Sequence, residues 1–391
     1  MTTPPGPPIP EAHAGAVLTI DLDAIAANYR LLADRLDGAQ CAAVVKADAY
    51  GLGIDRIAPA LAAAGCRVFF VALIEEGIHL RQILNDTGDP ELVQAEIHVL
   101  GGLMAGTEEA FDASRLVPVL NSLDEIHDWR AYCRQLESPL PCDLHADTGM
   151  GRLGLPAGEV DKLVEEPSRL DGLNILAVIS HLACADEPDH PKNRRQLEAF
   201  LDVRLRLHQG QACLANSSAI FLGPEYHFDM VRPGVALYGL GPVHGQPNPM
   251  AQVVRLQGKI AQVRDVDTPQ TVGYGATHQV EGPGRIATVA VGYADGYLRS
   301  LSNRGNGYIG DFPVPVVGRV SMDLITLDVT SIPAHLCLPG AFIDLIGPNN
   351  PVERVAEDAG TIGYEILTGL GRRYTRVYVG GAGGTSGAGG A

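Results

Sequence analysis

Lys46 is the residue whose type and position most directly suggest chemistry. It ends an apolar run that begins at residue 41, and a glycine-containing turn with Tyr50 follows it. A lysine that is desolvated at a strand end has a lowered pKa, which makes its amine a usable nucleophile or Schiff-base former. The alternative is a lysine whose stem covers apolar surface while its amine stays in water. Further polar side chains around Lys46 would favour the first interpretation.

Polar side chains also follow later apolar runs, at the points where parallel strands of a barrel would end. They are Arg152 in the glycine-rich segment 147–154, His181, Asn216 with Ser217, and Arg232 followed by Gly234 and Val235. Active-site groups of such barrels come from the C-terminal ends of the strands, so we expect these residues to surround one mouth with Lys46. No paired carboxylates or metal-ligand spacing accompany them, so no metal site is expected. A cationic, hydroxyl-rich mouth suits a phosphorylated cofactor.

Each of these residues also has a purely structural interpretation. Asn216 and Ser217 could form a turn or cap, His181 could be a hydrogen-bonded core histidine, and Arg152 could be a solvated loop residue. The functional interpretation is favoured because five strands would otherwise have to place such residues at the same face by chance.

The pattern of the chain predicts a scaffold that would bring these residues together. Eight apolar runs, too apolar to alternate, are mostly separated by helical segments, which describes a parallel sheet covered by helices. Eight such units close a barrel, so we predict a (β/α)8 TIM-type barrel over about residues 22–243. The predicted strands lie at 41–46, 67–73, 96–100, 116–120, 142–146, 175–181, 212–216 and 228–232, and the helices at 22–36, 54–64, 75–84, 123–136, 158–165 and 191–208.

A second domain is predicted after the glycine and proline residues at 239–249. Here strands follow one another without intervening helices, which predicts a mainly antiparallel β domain over residues 244–379. Its strands are predicted at 253–266, 270–280, 285–291, 308–309, 314–320, 324–329, 341–345 and 373–379, and one helix near 352–360. The barrel domain spans 13–243, although a strand at about 16–20 is surplus to the barrel and could join the β domain. Residues 1–12 are expected to be disordered and the glycine-rich residues 380–391 to be flexible.

Composition excludes several classes of function. A formal net charge of −17 over 391 residues leaves no basic surplus for nucleic acid. The seven cysteines form no C-x-x-C pair and indicate neither a zinc site nor a disulfide framework. No apolar run reaches the ~20 residues of a membrane span, and the proline-rich N-terminus does not have the pattern of a signal peptide. We therefore expect a cytoplasmic enzyme without membrane or nucleic-acid partners.

Motifs spread over about residues 15–379 resemble those of the alanine racemase family. They are A-V-V-K-A-D-A-Y-G, D-T-G-M-G-R-L-G, S-H-L-A-C-A-D, A-N-S-S-A, V-R-P-G-V-A-L-Y-G, V-G-Y-G-A-T, V-A-V-G-Y-A-D-G-Y and V-G-R-V-S-M-D. The resemblance implies a homodimeric enzyme that interconverts L-alanine and D-alanine with pyridoxal 5'-phosphate bound to Lys46. It also implies that the D-alanine supplies peptidoglycan synthesis.

The resemblance implies a role for each site residue. The phosphate of the cofactor would be held by Tyr50, Ser217, Gly234 and Val235, with Asn216 close by. The pyridine nitrogen would face Arg232, with His181 packed beside it, and Arg152 would contact the phenolic oxygen and the substrate carboxylate. The second base would be Tyr274 from the partner of a head-to-tail dimer, while Tyr293 and Met322 would line the substrate site from the β domain.

The implied reaction matches the chemistry of these side chains. Racemisation removes a proton from one face of Cα and returns it on the other, so two bases must flank a planar carbanion. An amine and a phenol can serve, and conjugation with the cofactor stabilises the carbanion. An arginine at the pyridine nitrogen does not readily surrender a proton, which would favour racemisation over transamination.

Two positions depart from the family pattern. Many members carry a lysine that becomes carbamylated and orients the arginine equivalent to Arg152, where this chain has His145. A histidine forms no such stable carbamate, so a neutral imidazole or an anion would have to position Arg152. Arg372 takes the place of a tyrosine that contacts the phosphate, and it could bind phosphate itself.

Three other functions are compatible with parts of this pattern. A racemase of broader specificity, for example for serine, would share the motifs. An amino-acid decarboxylase of the same two-domain cofactor fold would normally have an acidic residue in place of Arg232 and a cysteine motif that Cys337 lacks. A non-catalytic carrier of pyridoxal phosphate would consist of the barrel alone, without the β domain and Tyr274.

Overall fold

The computed structural model describes residues 13–381 of this 391-residue chain. The predictions of disorder for residues 1–12 and of a flexible tail from residue 380 onward fall almost entirely outside the described residues. The described residues form two compact units, one of residues 24–251 and one that combines residues 13–23 with residues 252–381. The first strand, β1 (Ala16–Asp21), belongs to the second unit.

The unit of residues 24–251 is a (β/α)8 barrel, which confirms the predicted fold class. All eight predicted strands are present and parallel, and the first is split in two around Ala42. Its two pieces pair with opposite neighbours, β2 with β10 and β3 with β4, so the split strand closes the sheet. The barrel strands are β2 (Gln40–Cys41), β3 (Ala43–Val44), β4 (Val68–Val71), β5 (Glu96–Val99), β6 (Val117–Leu120), β7 (Pro141–His145), β8 (Asn174–Ile179), β9 (Gln211–Asn216) and β10 (Met230–Arg232).

Helices cover the barrel, and burial on both faces explains why its strands are so apolar. All four residues of β4 and of β6 are buried. The helices are Leu22–Ala33, Ile54–Ala63, Ile74–Asp86, Pro90–Val93, Glu108–Ala113, Leu123–Gln135, Ala157–Glu165 and Pro191–Arg206. The sequence analysis missed Pro90–Val93 and Glu108–Ala113, because four to six residues are too few to show a helical period. No helix in residues 13–381 has both the length and the apolar character that a membrane span requires.

The other unit is mainly antiparallel β-sheet, as predicted. Strand β1 lies in this sheet, antiparallel to β11 and parallel to β19. The strands are β11 (Val254–Val266), β12 (Gln270–Val272), β13 (His278–Val280), β14 (Gly284–Val289), β15 (Asn306–Ile309), β16 (Phe312–Pro315), β17 (Ile325–Asp328), β18 (Phe342–Ile346) and β19 (Thr375–Val379). The predicted helix is Val352–Ala359, and a second helix, Gly363–Thr368, was missed.

The prediction of one strand over residues 270–280 is wrong. Strands β12 and β13 form a hairpin, and a 3-10 turn at Tyr274–Ala276 joins them. The flanking Gly273 and the central Gly275 have φ values of 73° and 72°, a left-handed conformation that glycine adopts without strain. Tyr274 therefore lies at the tip of a hairpin and not within a strand. The predicted strand 314–320 also ends early, at Pro315.

Candidate active site

The structure places the predicted barrel residues at the same ends of neighbouring strands. Lys46 follows β3, Arg152 lies in the loop after β7, and His181 follows β8, while Asn216 and Arg232 end β9 and β10. Because the strands are parallel, these positions lie at one rim. Their charges interact: both arginines lower the pKa of Lys46, and all three cations lower the pKa of His181.

The turn that follows Lys46 has an uncommon backbone. Four consecutive residues other than glycine, from Ala47 to Tyr50, have φ between 52° and 56° and ψ between 37° and 56°. This is one turn of left-handed helix, which costs about 1–2 kcal/mol for each L-residue. The sequence K-A-D-A-Y predicts only a turn here, because none of the strained positions is a glycine.

Surrounding residues hold this left-handed turn in place. The Ala47 N–H donates to Glu76 Oε1 at 2.6 Å, and the Ile54 N–H donates to Asp48 Oδ1 at 2.8 Å. The ring of Tyr50 stacks on that of Tyr238 with centroids 4.5 Å apart. The Tyr238 hydroxyl in turn donates to Val44 O, in the strand that leads to Lys46. These contacts fix the direction in which the chain delivers the lysine.

A cradle for an anion lies beside the hydroxyl of Tyr50. A Cβ atom at Gly234 would lie 2.3 Å from Tyr50 Oη, so only a glycine permits this approach. The Ser217 hydroxyl accepts hydrogen bonds from the N–H groups of Gly234, at 2.8 Å, and of Ala236, at 3.3 Å. The Val235 N–H between them has no acceptor within residues 13–381. A free amide beside two hydroxyl groups suits the oxygens of a phosphate.

Asn216 organises the neighbouring turn. Its side-chain Oδ1 accepts a hydrogen bond from the Ala219 N–H at 3.0 Å. This is the capping interaction that the sequence analysis kept as its structural interpretation, and it fixes the backbone that carries Ser217.

Arg232 is a buried cation without a carboxylate partner. Its side chain is 4% exposed, and it donates to Cys213 O at 2.9 Å, to Cys213 Sγ at 2.8 Å and to Ser180 O at 2.5 Å. No carboxylate within residues 13–381 lies at salt-bridge distance from it. The backbone carbonyls orient the guanidinium but do not neutralise its charge, so its positive field acts on the groups around it.

Lys46 is set up to lose its proton more readily than an ordinary lysine. Burial lowers the pKa of the Lys46 amine, and the charges of Arg152 and then Arg232 lower it further, while the Glu76 carboxylate opposes them. An amine with a lowered pKa is a nucleophile and a base closer to neutral pH. This is the chemistry that the sequence position of Lys46 predicts.

Two histidines at the mouth are neutral. Burial, and then the charge of Arg232, lowers the pKa of His181 to about 3 and that of His145 to about 4. Asn121 fixes the tautomer of His145: the Asn121 amide nitrogen donates to Val119 O, so its Oδ1 accepts from His145 Nδ1 at 2.7 Å. The Nε2 atom of His145 is then a hydrogen-bond acceptor.

The loop that carries Arg152 is tightly closed. The Asp147 carboxylate accepts from the N–H groups of Gly149, Met150 and Gly151. The Leu155 N–H donates to His145 O at 2.7 Å, which returns the loop to the strand it left. Arg152 itself is exposed on this loop.

The three site residues predicted in the β unit have exposed side chains. Tyr274, Tyr293 and Met322 are 73%, 43% and 53% exposed. The Tyr293 N–H donates to Ser321 O, so Tyr293 and Met322 lie on adjacent backbone segments. Large apolar side chains that remain this exposed often mark a contact surface.

The described residues offer no metal centre. Within residues 13–381, no cluster of three or more histidine, cysteine, aspartate or glutamate side chains could hold a metal ion. The seven cysteines, all of which lie in that range, are free thiols.

Two family models match this chain and together cover most of it. The alanine racemase N-terminal domain matches residues 20–242, and the alanine racemase C-terminal domain matches residues 253–378. The protein named alanine racemase from Rhodospirillum rubrum is 52% identical over 371 residues, which cover 95% of this chain and 97% of that protein. The alanine racemase from Brucella canis is 49% identical over 379 residues, or 94% of each chain.

Solved structures show the same similarity. The crystal structure of alanine racemase from Bartonella henselae with covalently bound pyridoxal phosphate is 42% identical. It superposes with a TM-score of 0.88, covering 94% of this chain and all of that chain.

The strain in the left-handed turn predicts an uncommon response to glycine. Ala47→Gly should raise the free energy of unfolding by about 1 kcal/mol, because an exposed alanine leaves a left-handed conformation that glycine tolerates. The same change at Ala63, exposed at the end of the right-handed helix Ile54–Ala63, is the control and should lower it by about 0.5–1 kcal/mol. Urea unfolding measures both, and a loss of stability in both variants would show that the turn is not strained.

The buried neutral state of His145 predicts a pH-dependent stability. The unfolded chain binds a proton at His145 near pH 6.5, but the folded chain does so only near pH 4, so the protein loses stability as the pH falls between these values. His145→Gln removes this loss. When the pH is lowered from 7 to 4, the difference in free energy of unfolding between the variant and the wild type should therefore rise by about 3 kcal/mol in favour of the variant. Urea unfolding measures this difference. Parallel stability curves would contradict the assignment.

Proposed function

The chain belongs to the alanine racemase family; it interconverts L-alanine and D-alanine with pyridoxal 5'-phosphate, and we propose that Lys46 holds this cofactor. The observation that carries the proposal is the lowered pKa of the Lys46 amine at a rim that also contains an anion cradle. When bound, the cofactor supplies conjugation that stabilises a carbanion at Cα. The residues of the chain bind it, orient it and move the protons.

The cradle would hold the phosphate group. Tyr50 and Ser217 offer hydroxyl groups, and Val235 offers its free N–H. Gly234 leaves the space that a side chain would fill, since its Cβ would collide with Tyr50 Oη. Asn216 supports the cradle through its bond to Ala219 N. These groups fit a dianionic phosphate without a further charged residue.

Arg232 and His181 would bind the opposite end of the cofactor. The Arg232 guanidinium donates hydrogen bonds but keeps its proton, so a ring nitrogen beside it stays unprotonated. His181 is neutral and adds no further charge at this position. An unprotonated ring withdraws fewer electrons, which favours the return of a proton to Cα over transamination. The arginine is thus a determinant of reaction specificity.

Arg152 would bind the phenolic oxygen of the cofactor and the substrate carboxylate, and His145 would position it. Asn121 holds the proton of His145 on Nδ1, which leaves Nε2 as an acceptor for a guanidinium. Arg152 is one of the charges that keep the His145 imidazole neutral. A neutral imidazole can therefore take the orienting part that a carbamylated lysine has in other family members.

Two bases would act on opposite faces of the substrate. The Lys46 amine takes or returns the Cα proton at Nζ on one face. Tyr274 of the partner subunit would do so at its hydroxyl on the other face, with Tyr293 and Met322 of the partner subunit lining the substrate site. The support for a shared site is the exposure of these three large side chains on the β unit. The protein would then act as a homodimer.

The comparisons with relatives support alanine as the substrate. The similarity to proteins named alanine racemase favours alanine over serine, and favours racemisation over decarboxylation or a carrier role. We further propose that the enzyme works in the cytoplasm and supplies D-alanine for peptidoglycan.

The central proposal predicts that one lysine carries the activity. Purified wild-type protein should racemise L-alanine and absorb near ~420 nm with its cofactor, and Lys46→Ala should lose both properties, because the variant lacks the amine that would hold the cofactor. Lys162→Ala changes an exposed lysine in the helix Ala157–Glu165 and is the matched control. Polarimetry and absorbance measure both properties. Racemisation by the Lys46→Ala variant at the wild-type rate would exclude the proposal.

The shared site predicts complementation between two inactive variants. A mixture of Lys46→Ala and Tyr274→Phe subunits that exchange freely forms hybrids in half of its dimers, and each hybrid has one intact site of two. The mixture should therefore reach about one quarter of the wild-type rate, although neither variant alone is active. If mass spectrometry shows exchange and the mixture remains inactive, Tyr274 does not serve the partner's site.

A further inference from the structure

An ion pair lies inside the barrel and takes no part in the proposed reaction. His98 on β5 and Asp143 on β7 point into the interior across the intervening β6, and His98 Nδ1 lies 2.7 Å from Asp143 Oδ2. Both side chains are fully buried. We call them the interior ion pair.

Stability does not explain the interior ion pair. Removing two charges from water commonly costs as much as their attraction returns, and apolar residues of similar size are often as stable. Asp143 Oδ1 is moreover buried without a hydrogen-bond partner. Because this oxygen has no partner, the negative charge of the Asp143 carboxylate is neutralised only in part. Its electrostatic field therefore extends beyond His98.

Glu96 adds a second carboxylate at the other end of the pair. Its Oε2 atom lies 3.2 Å from His98 Nε2, and its side chain is 48% exposed at the start of β5. Burial opposes the charge on His98, but Asp143 and Glu96 together outweigh it and raise the pKa of His98 to about 9. With the His98 imidazole protonated, the group formed by Asp143, His98 and Glu96 carries a net charge of −1 at neutral pH.

The interior ion pair lies next to Arg232, which lacks a carboxylate partner. The ring of Phe70 links them: the His98 ring stacks on it at 4.6 Å, and Arg232 Cζ lies 5.7 Å from its centroid. The Cys213 thiol, which accepts a hydrogen bond from Arg232, also lies within the field of Asp143. Asp143 is the only buried carboxylate among the described residues of the barrel unit.

We propose that Glu96 and the interior ion pair are together the counter-charge of Arg232, which they offset through space without touching the cofactor. The proposal rests on the proposed function, because the ring nitrogen is the place assigned to Arg232. The barrel interior thus determines how strongly Arg232 acts on the cofactor and on Lys46.

Charged and titratable groups surround this arrangement on several strands. They are Glu96 and Asp143 around His98, Cys142 and Cys213 around Asp143, and Lys46, His145, Arg152 and His181 around Arg232. Coupling through space is reciprocal, so a change at Arg232 must also be felt at His98.

The first test measures this reciprocity in the holoenzyme. NMR of ¹⁵N-labelled histidine follows the titration of His98, which Asp143→Asn identifies by abolishing its raised pKa. Arg232→Gln removes a cation and should raise the pKa of His98 by about half a unit or more. The same titration midpoint in the wild type and in Arg232→Gln would overturn the proposal and leave the pair with a purely structural role.

The second test measures the consequence for catalysis. The pH profile of kcat reports groups of the substrate-bound enzyme, including the Lys46 amine. Glu96→Gln removes one negative charge while Asp143 still holds the proton on His98, which changes the net charge of the group from −1 to 0. Arg232 is then less compensated, so the acid limb of kcat should move to lower pH by about a quarter of a unit or more. Cys142→Ala, at the buried residue adjacent to Asp143 on the opposite face of β7, is the control and should leave the limb in place.

The outcomes separate this proposal from the proposed function. A Glu96→Gln variant that keeps the wild-type profile would overturn the counter-charge role. If Asp143→Asn does not fold, the signal of His98 in the Arg232→Gln titration is assigned by its loss in His98→Gln. A wild-type protein that does not racemise alanine would refute the proposed function, while the titration would still show whether His98 and Arg232 are coupled.

Discussion

The concentration of positive charge around Lys46 is the constraint on which the rest of the site depends. Arg152 and Arg232 both act on the lysine, and Arg232 is buried without an adjacent carboxylate among the residues that the structure describes. Burial, and then this charge, lowers the pKa of the lysine amine and keeps the histidines His145 and His181 neutral. The positive charge also makes the rim suitable for a dianionic cofactor. Without a bound anion these positive charges would repel one another and destabilise the barrel mouth. The surrounding structure therefore has to offset them.

The structure offsets this charge at a distance from the reacting atoms. Glu76 accepts a hydrogen bond from the Ala47 N–H, and its charge raises the pKa of Lys46 while the arginines lower it. Asp143 lies in the barrel interior beyond Cys213. A carboxylate in direct contact with Arg232 would neutralise the guanidinium that is to face the cofactor. The left-handed turn contributes to the same arrangement. Lys46 precedes this turn and Tyr50 ends it, so the turn brings both side chains to one rim.

The sequence predicted the parts that depend on pattern and missed those that depend on contacts. Apolar runs of regular spacing predict the barrel, and polar residues at their ends predict which side chains meet at Lys46. The hairpin at Tyr274 was missed because β12 and β13 together look like one strand, although Gly273 and Gly275 were the available signal. The interior ion pair has no signal in the sequence, since His98 and Asp143 meet only after β6 is placed between them.

Identification of the lysine that binds the cofactor tests the central claim most directly. The chain has four lysines, at positions 46, 162, 192 and 259. Borohydride reduction of the holoenzyme fixes pyridoxal phosphate to the amine that holds it, and peptide mass spectrometry locates the modification. The account predicts a phosphopyridoxyl group on Lys46 alone, in one equivalent per chain. A modification on Lys162, Lys192 or Lys259 instead, or none on a protein that racemises alanine, would contradict it.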